Sequence, residues 1–205
     1  MPSPLAYQAM GVGTLFCLLG IPCLYYGTEQ GLHGIGGSDA AVREALWGKP
    51  NAFDPAHPFY QAIARLGQVR QQQPALRYGR QYFRPLSGDG VHFGVSPFPL
   101  GVVAFAKILN NEEVLVVANT NTQNCFSGEV IVDFALNREG TVYEVLFANK
   151  AAAGKPDGGQ RTVVTKPEHQ VEIHEPEGAV TRGPARAVRV GLGPMGLQIL
   201  RAKRP

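Results

Sequence analysis

The chain has 205 residues, of which 44% are hydrophobic and 17% are charged, and its formal net charge at pH 7 is +3. This composition is typical of an ordinary globular protein with enough material for one large domain or two small ones. The small excess of positive charge, without a basic helix, argues against binding to nucleic acid. Three cysteines in apolar surroundings fit buried free thiols in a reducing compartment and predict a cytoplasmic location.

Metal and cofactor motifs do not occur in the sequence. The five histidines are scattered singly and there is no Cys-x-x-Cys pair, so we expect no metal site. The glycine-rich segment 31–39 has neither the Gly-Lys-Ser/Thr ending of a phosphate loop nor the dinucleotide-binding pattern. We therefore expect no cofactor, and this segment is either a flexible surface loop or a loop that faces a substrate.

The beginning of the chain is uncharged from Met1 to Thr28. This stretch is nominally long enough to span a bilayer. However, no Lys or Arg precedes it, as a signal peptide would require, and Gly20 and Pro22 interrupt its apolar run. We expect buried elements here and no membrane interaction, with a membrane-anchored β-domain as an alternative.

A helix is predicted over residues 5–19, because apolar residues recur there at steps of three and four: Leu5, Ala9, Val12, Phe16 and Leu19. Pro4 suits the first helical turn, and Gly20 supplies a stop. Gly11 and Gly13 each weaken a helix by up to about 1 kcal/mol relative to Ala, which predicts close packing against a neighbouring element.

The next stretch, Gly20–Gln30, predicts a short strand. Four mostly apolar residues, Cys23, Leu24, Tyr25 and Tyr26, stand between Gly20-x-Pro22 and Gly27-x-Glu29. An unbroken apolar run of this length is typical of a strand that is buried on both faces. Glu29 comes where this strand would open into a loop, and in α/β proteins that end of a strand carries functional groups.

Arg43, Glu44 and Trp47 lie close together in the following loop. A guanidinium group and a flat indole ring suit a polar, ring-shaped ligand such as a sugar. Alternatively, Trp47 anchors the loop to the core and Arg43 pairs with a nearby acid.

A second helix is predicted from about Pro58 to Gln73, apolar on one side only and ended by Pro74. From Tyr78 onward short β-rich segments alternate with turn signals, and they predict an antiparallel sandwich; the segments are 81–86, 91–95, 102–109, 113–119, 128–134, 141–146, 187–190 and 196–201. Asn110-Asn111 predicts a tight hairpin. Residues 149–184, which are polar and rich in Gly and Pro, predict a weakly ordered excursion.

The string Gly20-Ile21-Pro22-x-x-Tyr25-Tyr26-Gly27-x-Glu29-Gln30 resembles the motif on the eighth barrel strand of the α-amylase family, glycoside hydrolase family 13. The segment 74–79 resembles the junction between the last barrel helix and the C-terminal β-domain of that family. The resemblance implies that residues 1–77 are helix 7, strand 8 and helix 8 of a (β/α)₈ TIM barrel. Residues 78–205 are then an antiparallel Greek-key β-sandwich with the excursion at about 149–184.

The resemblance implies the C-terminal portion of a glycoside hydrolase or transglycosylase that acts on α-glucans or oligosaccharides. The family carries its catalytic Asp, Glu and Asp on the fourth, fifth and seventh strands, and the Asn-His-Asp motif that should precede the first helix is absent. We therefore expect no catalytic residue and no activity of the chain alone. The residues expected to line a substrate cleft are Tyr25, Tyr26, Glu29, Arg43 and Trp47.

Two further expectations concern partners. A barrel strand and an apolar helix without the rest of the barrel predict self-association, or dependence on the missing barrel portion. The alternative function is a non-catalytic β-module that binds carbohydrate or a protein partner, for which exposed aromatic residues on the sandwich would be the sign.

Overall fold

The computed structural model describes residues 1–43, 45–49, 52–95, 101–149, 160–167 and 169–203. Its helices are α1 (Pro4–Cys17), α2 (Asp39–Val42), α3 (Pro58–Gln72) and α4 (Pro74–Tyr78), with a 3₁₀ turn at Thr28–Gln30. Its strands are β1 (Arg80–Phe83), β2 (Leu86–Ser87), β3 (His92–Gly94), β4 (Val102–Leu109), β5 (Glu112–Asn119), β6 (Phe126–Ile131), β7 (Val142–Ala148), β8 (Arg161–Thr165), β9 (Val171–His174), β10 (Val180–Gly183), β11 (Ala187–Leu192) and β12 (Leu197–Lys203). In the described part of the chain, no helix is long and apolar enough to cross a membrane.

The strands form one curled sheet in the order β1-β4-β5-β12-β7-β8-β11-β6-β2-β3-β9-β10. Strand β8 pairs with β7 on one side and with β11 on the other, and so joins two halves. We call the half from β1 to β8 sheet A and the half from β11 to β10 sheet B. Neighbouring strands are antiparallel except for β3 and β9, which are parallel. The fold is mostly sheet with few helices.

The two halves of the sheet face each other across a shared hydrophobic core. Leu115 and Val117 of β5 lie in it with Val130 of β6 and Val188 of β11, all of them buried. These positions alternate along each strand with residues on the other face, as the two-residue period of a strand requires.

A second core lies on the opposite face of sheet A, under the helices. Val114, Val116 and Ala118 of β5 belong to it, together with Val12 of α1 and Leu66 of α3. Sheet A is therefore buried on both faces, which is why β5 is an almost continuous apolar run. The helical layer and sheet A share this core, and the division of the chain at residue 77 stays a prediction.

The predicted first helix is confirmed as α1. The hydroxyl of Ser3 accepts a hydrogen bond from the backbone N–H of Ala6 and caps its first turn. A Cβ atom at Gly13 would lie 2.2 Å from Cδ2 of Leu197, whereas nothing lies within 4 Å of one at Gly11. The predicted close packing therefore holds for Gly13 and not for Gly11.

The strand predicted within Gly20–Gln30 is not formed. Residues 21–25 have no regular secondary structure, and Ile21 is 95% exposed. A strand needs a neighbour to satisfy its backbone N–H and C=O groups. In the described structure the strands pair within the sheet that begins at Arg80, so this apolar run has no strand beside it.

The weakly ordered excursion predicted for 149–184 is also wrong in part. Strands β8, β9 and β10 lie inside it, and Val164 and Val171 are buried. A polar stretch with only a few apolar residues can still form short strands when neighbouring strands are available to pair with it. Residues 150–159 and 168 lie outside the described residues.

Two other predictions are confirmed at the level of individual residues. Strands β4 and β5 form a hairpin in which Leu109 pairs with Glu112, and Asn110 adopts a φ of 55° in the turn between them. The second helix ends at Gln72, and Pro74 begins the additional short helix α4 instead of only ending α3.

Replacing Gly13 by Ala is expected to destabilise the protein by about 1–3 kcal/mol, since the added methyl group overpacks the contact between α1 and Leu197. Gly11→Ala is the matched control on the same helix, and it should stabilise by up to about 1 kcal/mol. Urea denaturation followed by circular dichroism measures both changes. Equal effects of the two substitutions would contradict the packing described.

Lys107 is a charged residue in the core between the helices and sheet A. It is fully buried, and its Nζ has no hydrogen-bond partner among the described residues. Burial lowers the pKa of Lys107, and the positive charge of Arg70 lowers it further, whereas Cys17 opposes this. Burial in turn raises the pKa of the Cys17 thiol to about 12. A buried donor without a partner costs stability.

Lys107→Met should therefore raise the free energy of unfolding, by about 1–3 kcal/mol. The unfolded chain binds the Lys107 proton more tightly, so wild-type stability should rise with pH between the folded and unfolded pKa values of Lys107. The variant should lose this slope. Urea titrations at several alkaline pH values test this, with Lys166→Met on the exposed surface as the control. A less stable Lys107→Met protein would refute it.

Candidate functional site

The position of the segment between α1 and α3 depends on Arg70. Its Nη2 donates to the carbonyl of Gly20 at 3.0 Å and its Nη1 to the carbonyl of Leu76 at 2.9 Å. Nη1 also donates to the carbonyl of Phe16, near the end of α1. One guanidinium group thus connects α3, the end of α1 and α4, and it sets the point from which residues 20–48 leave the helical layer.

The 3₁₀ turn Thr28–Gln30 is tied to two neighbouring elements. The side-chain amide of Gln8 in α1 donates to the carbonyl of Thr28 at 2.9 Å. The side-chain amide of Gln30 donates to the carbonyl of Asp54 at 3.1 Å, in the loop before α3. These bonds fix the backbone of the turn against α1 and the loop.

Tyr25 and Tyr26 form the aromatic part of a small pocket. Their ring centroids are 4.5 Å apart with an interplanar angle of 40°, and both side chains are about half exposed. The pocket has a volume of about 90 Å³ and is lined by Tyr25, Tyr26, Leu32, His33, Gly34 and Val42. Complete ligand sites usually have volumes of about 300–1,000 Å³. This pocket can hold only part of a ligand.

Gly34 makes the pocket possible by letting two backbone segments approach closely. Its φ is 56°, and a Cβ atom there would lie 2.6 Å from Cα of Val42. A residue with a side chain would both clash with this backbone and be strained. The glycine therefore brings the end of α2, with Val42 and the following Arg43, against the segment that carries His33.

Arg43 lies within electrostatic reach of the tyrosine pair. Hydrogen bonding with the side chain of Tyr25 and partial desolvation raise the pKa of Tyr26, and the positive charge of Arg43 opposes the rise. Arg43 also forms an ion pair with Asp39 at 3.8 Å, in which both side chains are exposed. An exposed pair of this kind contributes little stability, so the guanidinium group can turn towards a ligand.

The structure brings together three of the five residues predicted to line a substrate cleft. Tyr25 and Tyr26 line the pocket, and Arg43, which follows the lining residue Val42, acts electrostatically on Tyr26 without lining the pocket itself. Glu29 is half-buried in the 3₁₀ turn and does not line it. Trp47 is 88% exposed and is likewise outside the lining. The role of all five in a substrate cleft stays a prediction, and Glu44 lies outside the described residues.

The arrangement suits binding more than chemistry. Two phenol rings offer flat apolar faces and hydroxyl groups, and a guanidinium group offers several donors, which together fit a polar, ring-shaped ligand. Glycoside hydrolysis uses two carboxyl groups on either side of the bond that breaks. Among the described residues, no carboxylate lines this pocket. In the described ranges, moreover, no cluster of His, Cys, Asp and Glu could hold a metal ion.

Sequence reasoning missed Leu32, His33 and Val42 as parts of the pocket. The only local signal was the density of glycines around His33, which permits close backbone approach but does not say to which element. Contact with Val42 depends on the tertiary fold.

Part of the chain is similar in sequence to known proteins. No protein-family model matches it. Over 53 residues it is 49% identical to alpha-amylase 1 of Schwanniomyces occidentalis, a match that covers 26% of this chain and 10% of the relative. Over 115 residues it is 30% identical to a cyclomaltodextrin glucanotransferase of Bacillus sp. (strain 1-1), covering 56% of this chain and 14% of that enzyme.

Among solved structures, the gamma-CGTase of alkalophilic Bacillus clarkii superposes with a TM-score of 0.64 at 20% identity. The superposition covers 98% of this chain and 24% of that protein, and at this identity it shows the shared fold. The chain is a C-terminal portion of an α-amylase-family protein. The family predicted from the motif in Gly20–Gln30 is therefore confirmed. The chain spans only 10% and 14% of the two curated relatives.

Removing the positive charge of Arg43 should raise the pKa of Tyr26 further, because a neighbouring cation favours the phenolate. The Arg43→Ala variant tests this in an NMR titration of protein labelled with ¹³C at tyrosine Cζ, with Tyr26→Phe to assign the signal. Arg77→Ala, which removes an arginine that lies over Tyr78, is the matched control. If Arg43→Ala leaves the Tyr26 titration unchanged, the two groups do not meet at the pocket.

Proposed function

We propose that the chain is the C-terminal part of a glycoside hydrolase or transglycosylase that acts on α-glucans. Two relatives that match part of the chain are named as an alpha-amylase and a cyclomaltodextrin glucanotransferase. In this proposal α1 and α3 are the last two helices of a (β/α)₈ barrel. The curled sheet is the Greek-key β-domain that follows the barrel.

The observation that carries the proposal is the exposed apolar surface of residues 18–53. Ile21 is 95% exposed, Trp47 88% and Ile35 83%. Large apolar side chains crowded into one segment mark a surface that another part of a protein covers. The occupant we propose is the upstream part of the same family protein. Solved relatives have the length for it, because this chain covers 24% of the gamma-CGTase.

Completion of the barrel would also explain the unformed strand. Residues 21–25 have no regular secondary structure and no strand on either side in the described structure. With barrel strands as neighbours, their backbone groups would be paired and Tyr25, Tyr26 and Glu29 would lie at the mouth of a closed barrel. The pocket of about 90 Å³ would then be one edge of a larger cleft that includes Arg43 and Trp47.

Alone, the chain is proposed to be inactive and to associate with itself or with the barrel portion. The described residues of its pocket supply rings but no carboxylate pair, and its exposed apolar segment favours association. We also propose a reducing, cytoplasmic location. In support, Cys17, Cys23 and Cys125 are free thiols, although the predicted burial holds for Cys17 only and is wrong for the other two, which are exposed.

The test compares this chain with the protein encoded when the reading frame is extended upstream of Met1. We expect the extended protein to release reducing ends from soluble starch and the chain alone to release none. Glu29→Gln in the extended protein should lower the rate if Glu29 lies in the cleft. Analytical ultracentrifugation should show association of the chain alone and none of the extended protein.

Hydrolysis of starch by the chain alone would refute the proposed inactivity. An extended reading frame that encodes no barrel strands, or that yields a protein without activity on starch or maltooligosaccharides, would refute the proposed function.

A further inference from the structure

A second group of aromatic and charged residues lies where the chain passes from sheet A to sheet B. Tyr82 and Arg84 stand at the end of β1, just before Pro85 and β2, and Asp133 and Phe134 follow β6. Together with Arg186 we call this surface the β1 corner. Tyr82 is 43% exposed and Phe134 50%.

Arg84 is held rigidly at the β1 corner by a buried carboxylate. Its Nη2 donates to Oε1 of Glu113 at 2.5 Å, and the side chain of Glu113 is fully buried. Glu113 also accepts hydrogen bonds from the hydroxyl of Tyr143 at 2.9 Å and from the backbone N–H of Asp133 at 3.0 Å. A buried carboxyl group that accepts this many hydrogen bonds fixes the position of its partners. The conformation of Arg84 therefore costs no ordering when a ligand binds.

One donor of this network is unused. Nε of Arg84 is buried and has no hydrogen-bond partner among the described residues. Buried donors nearly always have one, so an unpaired donor calls for an unseen partner. Cζ of Arg84 lies 6.0 Å from the ring centroid of Tyr82, which places the guanidinium group beside an exposed aromatic ring.

Phe134 has a similar neighbour. Cζ of Arg186 lies 3.9 Å from its ring centroid. Nη1 of Arg186 donates to the carbonyl of Asn137 at 2.9 Å and also to the carbonyl of Phe134. Asp133, the residue before Phe134, connects the two ring–guanidinium pairs. Its Oδ2 lies 3.8 Å from Nη2 of Arg84, and its side chain is partly exposed. The corner thus alternates flat rings with fixed donors and an acceptor.

The loop that carries Phe134 also forms a wall of a large cleft. The cleft has a volume of about 730 Å³, within the range of about 300–1,000 Å³ that ligand sites occupy. Its lining carries three acidic side chains and three basic ones, namely Glu112, Glu113, Glu144, Arg138, Arg201 and Lys203. Glu113 belongs both to this lining and to the network that holds Arg84.

These features define the chemistry of a ligand. Half-exposed rings pack against apolar C–H faces, while guanidinium, amide and carboxylate groups exchange hydrogen bonds with hydroxyl groups. Positive and negative charges balance at the corner, with two arginines against Glu113 and Asp133, and again in the cleft. Balanced charge gives no net attraction to an anion, so the preferred ligand is neutral and rich in hydroxyl groups.

We propose that the β1 corner and the adjoining cleft bind a neutral oligosaccharide chain, at a site built from other elements than the pocket of Tyr25 and Tyr26. The site is inferred from the contacts of Arg84 with Glu113 and Asp133 and from that of Arg186 with Phe134. The identity of the sugar as an α-glucan rests on the proposed function. Tyr82 and Phe134 supply the stacking faces, and Arg84, Asp133 and Arg186 supply the hydrogen bonds.

Native affinity electrophoresis of the intact chain, through gels that contain amylopectin or hydroxyethylcellulose, tests the proposal. Amylopectin should retard the chain and hydroxyethylcellulose should not. Tyr82→Ala and Phe134→Ala should each weaken the apparent affinity at least about fivefold, from the loss of one stacking face. The matched control is Phe83→Ala, because Phe83 is 57% exposed on the opposite face of β1 and should leave the affinity unchanged.

Thermal unfolding checks that each variant is folded, and Phe134→Leu, which removes the ring but leaves the bonds of Arg186 to the loop backbone in place, serves if Phe134→Ala is not. The proposal is overturned if amylopectin does not retard the wild type, or if the Tyr82 and Phe134 substitutions have no more effect than Phe83→Ala. Retardation that depends on protein concentration and not on amylopectin, and is lost in Phe134→Ala, would also overturn it and assign the corner to contact between copies.

This outcome is separable from that of the proposed function. An extended protein that degrades starch while the chain fails to bind amylopectin refutes only the sugar site at the β1 corner. A chain that binds amylopectin, together with an extended protein that is inactive, refutes only the enzymatic proposal.

Discussion

Burial of sheet A on both faces is the constraint on which the rest of the fold depends. In β5, Leu115 and Val117 point into the core between the two halves of the sheet, while Val114, Val116 and Ala118 point into the core under the helices. Neither layer can be removed without exposing a full face of apolar side chains to water. The helices are therefore held to the sheet by the same strand that organises the sheet.

The position of residues 20–48 depends on the core under the helices. Arg70 is on α3, whose Leu66 and Val69 pack on sheet A, and its guanidinium group holds the carbonyl of Gly20. Beyond this point few side chains of residues 20–48 reach the core, and the segment is held mainly by polar contacts such as that of Gln8 with Thr28. A segment with so few buried contacts has low local stability. Its apolar surface is therefore available to be covered by another part of a protein.

The sequence predicted elements well where a pattern was local. α1, α3 and β4 follow from periodicity and from Gly and Pro signals, and the hairpin at Asn110 follows from turn chemistry. The predicted strand within Gly20–Gln30 was wrong because an apolar run indicates burial, whereas a strand also needs a partner, and the partner is not local.

Contacts between distant residues explain the rest of the candidate site. The tyrosine pair was predicted from two adjacent residues, but the approach of Arg43 to it depends on the glycine at 34 and on α2. At the β1 corner, Arg84 meets Glu113 and Asp133 through strands far apart in sequence. No short motif encodes such a meeting, and only the sheet topology brings these residues together.

The two surfaces differ in how far the chain itself completes them. The pocket of Tyr25 and Tyr26 sits on a segment whose apolar side is exposed, so its geometry depends on whatever covers that side. The β1 corner is fixed from beneath by the fully buried Glu113, so its rings and donors are already in place. If the proposed function holds, the preorganised site at the β1 corner would bind one part of a long glucan while the substrate cleft of the completed barrel binds another part. Linked binding of this kind raises the local concentration of substrate without any new contact at the site of chemistry.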